Sequence, residues 1–270
     1  MNRYQRALIG GFGVMLAVVV CLYVAYKQPR HWNDFTDQFV QVPGALLVFA
    51  IATALVLVAA MYRRDRLQVV NMLVAVLINI VLGELLANVQ IPLYLDSVFT
   101  IAISVAYGPL AGIAVAMLTQ MIWAIFNSVV LIFSLVAIVV ALLAGILAKV
   151  GGFYSAISAF FAGVGIGFFS SLLAAPVAVL VYSADDLSGT GNLITALLGY
   201  GENLVMAVIL QCLLIDPIDK AISAVLAFWL LRLAVRRGWL TPKGHRLFGL
   251  WAKKVSPKSG EDLANSEPAP

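Results

Sequence analysis

Glu84, Asn88 and Asp96 sit within or at the edge of apolar runs, around the short connection Asn88-Val89-Gln90-Ile91-Pro92. A carboxylate is expensive at membrane depth, so Glu84 and Asp96 read as ligand contacts or as halves of ion pairs. Thr119, Gln120 and Asn127 lie in or just beyond another apolar run, next to Trp123. Each needs a hydrogen-bond partner or a wet cavity, and with Asp96 they would line one mouth that holds a polar small molecule. Asn79, Asn203 and Gln211 are explained by interhelical hydrogen bonds, and Trp123 reads as an interface-belt aromatic. Asp216, Asp219 and Lys220 fall in the string DPIDK, where spacing permits a local structural ion pair. This chemistry binds and orients. The chain has no GxxxxGK[ST], HExxH or GxSxG motif, and its histidines are His31 and His245 alone, so it reads as neither an enzyme nor a metal site. Any uphill work would draw on a partner or an ion gradient. Cys21 and Cys212 each lie in an apolar run and suggest no disulfide or redox pair.

Hydrophobic residues make up 63% of the 270 positions and charged residues 11%, against roughly 45–50% and 25% in soluble domains. Lipid is therefore the expected solvent. The basic residues are polarised: seven Lys/Arg in residues 1–66, eight in 232–270, and Lys149 and Lys220 alone between. That is a membrane body with basic flanks, not a nucleic-acid surface. A core of roughly 30 Å asks for about 20 apolar residues per helix. Spans are expected near 7–26, 43–62, 68–88, 92–107, 109–126, 129–149, 153–182 and 219–236, the fourth and fifth forming a hairpin turned at Tyr107-Gly108-Pro109.

Residues 192–214 form a ninth apolar run, broken at Gly199-Tyr200-Gly201 and continuing through Glu202 and Asn203. Arg3, Arg6, Arg63, Arg64, Arg66, Lys149, Arg232, Arg236 and Arg237 share one side of the membrane only if this run does not cross. It is therefore expected to be an external or re-entrant helix beside a ligand site, with Tyr200, Glu202 and Asn203 as site residues. Both termini then lie in the cytoplasm, and the acids Glu84, Asp96, Asp185, Asp186, Glu202, Asp216 and Asp219 fall toward the external ends of their segments.

Small residues recur every fourth position at Ala75, Asn79, Gly83 and Ala87, at Gly108, Gly112 and Ala116, and at Ala159, Gly163, Gly167, Ser171 and Ala175. Such faces let helices approach closely in lipid. The third stripe reads as packing within the bundle. Ala75, Asn79, Gly83, Gly108, Gly112 and Ala116 are candidates for docking a partner.

Residues 91–122, IPLYLDSVFTIAISVAYGPLAGIAVAMLTQMI, with a Pro-x-x-Leu-Asp entry, short helix, Gly-Pro turn and return helix, resemble substrate-binding S components of energy-coupling-factor (ECF) transporters. Residues 183–204 and 216–231 resemble the Gly-rich external loop and the acidic-x-x-Asp-Lys entry to the last helix of uncharacterised members of that family. The resemblance covers about 170 residues, in order.

It implies a six-helix core over 67–237 in an all-α polytopic membrane bundle, to which the residues themselves add a two-span extension over 1–66 and a basic, then disordered, tail over 238–270. It implies a multi-pass subunit of the bacterial inner membrane that captures a vitamin or related small molecule at the external face. Its partners would be a transmembrane coupling subunit and ATPase subunits that use the ATP; no cofactor is expected in this chain. Two features depart from the pattern. The first core helix reads Ala75-x-x-x-Asn79 where many members have Ala-x-x-x-Ala, and the N-terminal spans are extra. A ligand-sensing module that signals to a separate kinase is the second reading, and a ligand-free assembly factor the third.

Overall fold

The computed structural model describes residues 1–27, 44–89, 93–125, 128–181 and 191–240. Among them every regular element is a helix: α1 Arg3–Lys27, α2 Ala45–Met61, α3 Arg66–Val89, α4 Val98–Tyr107, α5 Pro109–Trp123, a 3-10 turn Ser128–Leu131, α6 Ser134–Lys149, α7 Ala156–Val181, α8 Gly191–Gly199 and α9 Leu204–Arg236. α1, α3 and α7 are long and apolar enough to cross a membrane, consistent with a membrane protein. α3 turns Val70, Leu73, Leu77, Val81 and Leu85 outward, and α7 does the same with Phe161, Phe168, Phe169 and Leu172. Such continuous apolar faces suit lipid rather than water.

The helix ends nearest the arginines gather at one end of the bundle. The Met1 ammonium donates to Tyr62 Oη at 2.6 Å, joining the start of α1 to the end of α2. Arg6 Nε donates to the Ala59 carbonyl at 2.7 Å, and Arg64 reaches the Tyr107 carbonyl at 2.9 Å. Asn71 donates to Tyr107 Oη at 2.8 Å and to the Trp239 carbonyl at 3.1 Å. At this basic end the α4–α5 hairpin turns as expected. Gly108 has φ +93°, which a side chain would strain, and Pro109 opens α5, where its missing N–H has no helical partner to lose.

Small residues set the spacing. A Cβ on Gly145 would meet the backbone and ring of Pro109, 2.7 Å away, so α6 rides directly over the hairpin. A Cβ on Gly163 would strike the backbone of Lys220 and Ala221, and one on Gly167 that of Asp216 and Pro217. This is the tightest seam of the bundle, α7 on α9, and it gives the third stripe the packing role expected of it.

Three boundaries differ from expectation. The span placed at 92–107 is a helix of only 10 residues, Val98–Tyr107, roughly 15 Å long. It is entered through the non-helical segment 93–97, in which Leu95 takes φ +46°. α6 begins at Ser134 rather than 129. Most consequential, residues 204–214 are not part of a separate external element. The break lies at Tyr200–Asn203, and α9 then runs 33 residues through Pro217 to Arg236. Asn203 Oδ1 caps it by accepting from Met206 N at 2.9 Å. Asp216 and Asp219 therefore sit near the middle of a helix, not at the external end of one.

Candidate functional site

The 93–97 segment meets the middle of α9. Irregular backbone inside a helical bundle needs internal partners, and Asp219 supplies them. Its Oδ1 accepts from the amides of both Tyr94 and Leu95 at 2.9 Å, which holds the left-handed turn at Leu95 in place. Its Oδ2 pairs with Lys220 Nζ at 2.6 Å, and the same ammonium reaches Asp96 Oδ1 at 3.3 Å. Asp219 is fully buried and the Lys220 side chain 8% exposed, whereas the Asp96 side chain is 24% exposed and forms the open arm of the cluster. The structural ion pair is thus Lys220 with Asp219 and Asp96. Asp216, expected to share it, is buried one turn away and makes no direct pair with Lys220.

Asn79 and Glu84 on α3 are also committed. Asn79 Nδ2 donates to Thr100 Oγ1 at 2.9 Å while its Oδ1 accepts from Phe99 N at 3.1 Å, bracing the first turn of α4. Glu84 accepts from the Trp123 indole N–H, tying α3 to the end of α5. Trp123 is 7% exposed, with Gly83 against its ring, so it is a buried packing residue and not a belt aromatic.

The docking stripes turn inward. Ala75, Asn79 and Ala116 are at most 1% exposed. Gly83 is covered by Trp123 and Gly112 by Ser104, so neither face is open to a partner. Of those six positions only Gly108, at the basic hairpin, is part-exposed and has open space around it. Tyr200 and Glu202 are exposed at the α8–α9 turn, away from the cluster, and Asn203 is occupied as a helix cap. Asn127, Asp185 and Asp186 lie outside the described residues, as does the side chain of Asn88.

Six buried side-chain atoms have no hydrogen-bond partner among the described residues: Ser97 Oγ, Thr119 Oγ1, Gln120 Oε1, Ser134 Oγ, Gln211 Nε2 and Ser223 Oγ. Native interiors leave few such atoms, because each costs about 1–3 kcal/mol. Their placement is one-sided. Every one lies about ten residues or more, roughly 15 Å of helix, from the basic end of its segment. The basic-end polar groups Arg64, Asn71 and Tyr107 are satisfied by contrast.

Thr119 and Gln120 are the two that the sequence places at a polar mouth; the four others extend the set. Ser97, Ser134 and Ser223 carry no distinctive signal, since a buried serine in a helical bundle usually bonds back to its own helix, as Ser170 and Ser171 do. The part of the bundle away from the arginines holds these orphaned groups and the Asp96–Lys220–Asp219 network. It offers donors, acceptors and charge, the means to hold a polar molecule. No family model, curated protein or solved structure matches this chain.

Proposed function

We propose that the chain is a membrane-embedded substrate-binding subunit of the ECF type, which captures a polar small molecule in the outer part of its bundle. The observation that carries this reading is the one-sided set of orphaned buried polar atoms, all far from the basic end of the bundle. A dry structural core has no use for them, while a bound polar molecule gives each a partner. In this reading the helices make eight crossings with α8 at the external surface, the basic end faces the cytoplasm, and a coupling subunit with two ATPases drives delivery. The inward-turned stripes leave α1, α2 or the outer faces of α3 to meet that partner. The sensing alternative draws on the same polar groups and differs only in what associates with the chain.

Purification in native lipid separates the two. Coupling and ATPase subunits that co-elute support transport, and a co-eluting kinase supports sensing. Neither partner, across several growth conditions and with no bound small molecule, contradicts both. Asp96→Asn is expected to weaken binding of the co-purified molecule at least tenfold, about 1.4 kcal/mol, measured by titration calorimetry. Unchanged affinity would remove Asp96 from the site.

A further inference from the structure

We propose that the Asp216 side of the buried cluster binds the cationic centre of a small organic molecule. This rests on the binding-subunit reading and assigns the charge of its ligand. Asp216, Asp219, Lys220 and Ser223 recur at helical spacing and form one stripe of α9. The cluster holds three carboxylates, Asp96, Asp216 and Asp219, against the single ammonium of Lys220. That ammonium is spent on Asp219 and Asp96, and the second oxygen of Asp219 is spent on the amides of Tyr94 and Leu95. Asp216 is left over. It is 7% exposed, close enough to feel the charges of Lys220, Asp219 and Asp96, and it accepts no hydrogen bond from the described residues.

A second observation points into the same place. Ser223 Oγ is fully buried and unpartnered, and it stands one turn beyond Asp219 and Lys220. Helical side chains lean back over the preceding turn, which aims this hydroxyl at the cluster. Ser97 Oγ, also unpartnered, comes directly after Asp96 at the foot of α4. An uncompensated carboxylate at this depth is costly, and a cation beside Asp216 and Asp96 offsets it. An anion would meet three carboxylates. A compact metal ion is disfavoured because the Lys220 ammonium already occupies the point between Asp96 and Asp219. An organic ammonium or amidinium, with polar groups toward Ser97 and Ser223, meets all of these constraints.

The test uses the full chain in lipid nanodiscs and a small-molecule extract of the producing cells, passed over chelating resin and split into cationic, neutral and anionic fractions. The cationic fraction is expected to raise the thermal midpoint by about 3 °C or more, and the other fractions to leave it unchanged. Asp216→Asn should keep or raise the unliganded midpoint, since the carboxylate holds no hydrogen bond within the described residues and its charge is costly there, yet need at least tenfold more of the cationic fraction for the same shift. Ser223→Ala should fold and weaken the response severalfold. A response confined to neutral or anionic fractions, or one given by the extract before the resin and by no fraction after it, overturns the charge assignment and leaves the binding-subunit reading standing. A lowered midpoint in Asp216→Asn with an intact response does the same. No response to any fraction overturns both.

Discussion

Asp219→Ala is expected to lower stability by about 3–5 kcal/mol, measured as the shift of the thermal or denaturant midpoint in nanodiscs. Three losses coincide. The amides of Tyr94 and Leu95 lose their acceptor, and each orphaned N–H costs about 1–3 kcal/mol. Lys220 loses its shorter partner, at 2.6 Å, and keeps Asp96 at 3.3 Å. The left-handed turn at Leu95 loses its clamp, which frees Asp96 from its position. Asp219→Asn should cost less, because an amide oxygen still accepts from one or both backbone N–H groups. Since Asp219 touches both the 93–97 segment and Lys220, its removal and that of Lys220 should be strongly non-additive. Additive costs would mean that the pair and the loop clamp are independent.

Gly167→Val is the second large effect, expected at about 3 kcal/mol, the upper end for overpacking. The new side chain meets the backbone of Asp216 and Pro217, which cannot turn aside as a flexible side chain would. α7 and α9 must separate, and Asp216 moves with α9. The same helix contains its own control. A Cβ on Gly165 meets nothing within 4 Å, so Gly165→Ala should be neutral or stabilise by up to about 1 kcal/mol through helix propensity. Equal loss in both variants, read as thermal midpoints, would show that the effect is general to α7 and not to its seam with α9.

Features fixed by local chemistry were legible in the residues. The apolar excess points to lipid, Gly108-Pro109 marks the hairpin, and the glycine break near 199–201 separates α8 from α9. The course of α9 was not legible. Residues 215–218 read as a connection between the 192–214 run and the last span at 219–236, because Asp216 and Pro217 argue against a continuous buried helix. The helix persists because Asp219 and Lys220 find partners in a segment about 125 residues earlier. The docking stripes misled for a related reason. Small residues mark a close approach but not which neighbour makes it, and here Trp123 and Ser104 fill the space over Gly83 and Gly112. Thr119, Gln120 and Asp96 stood out as polar groups in apolar runs. Ser97, Ser134 and Ser223 did not, since a serine becomes unusual only when its surroundings offer it nothing.

Native mass spectrometry of the full chain, released from native-membrane nanodiscs, tests the central claim most directly. A discrete small-molecule adduct is expected on the wild-type chain, diminished in Asp96→Asn, and still present in Gly165→Ala. A wild-type spectrum of apo protein and lipid adducts alone, under every growth condition tried, would contradict a binding role and leave the orphaned polar groups of the outer bundle as features of packing.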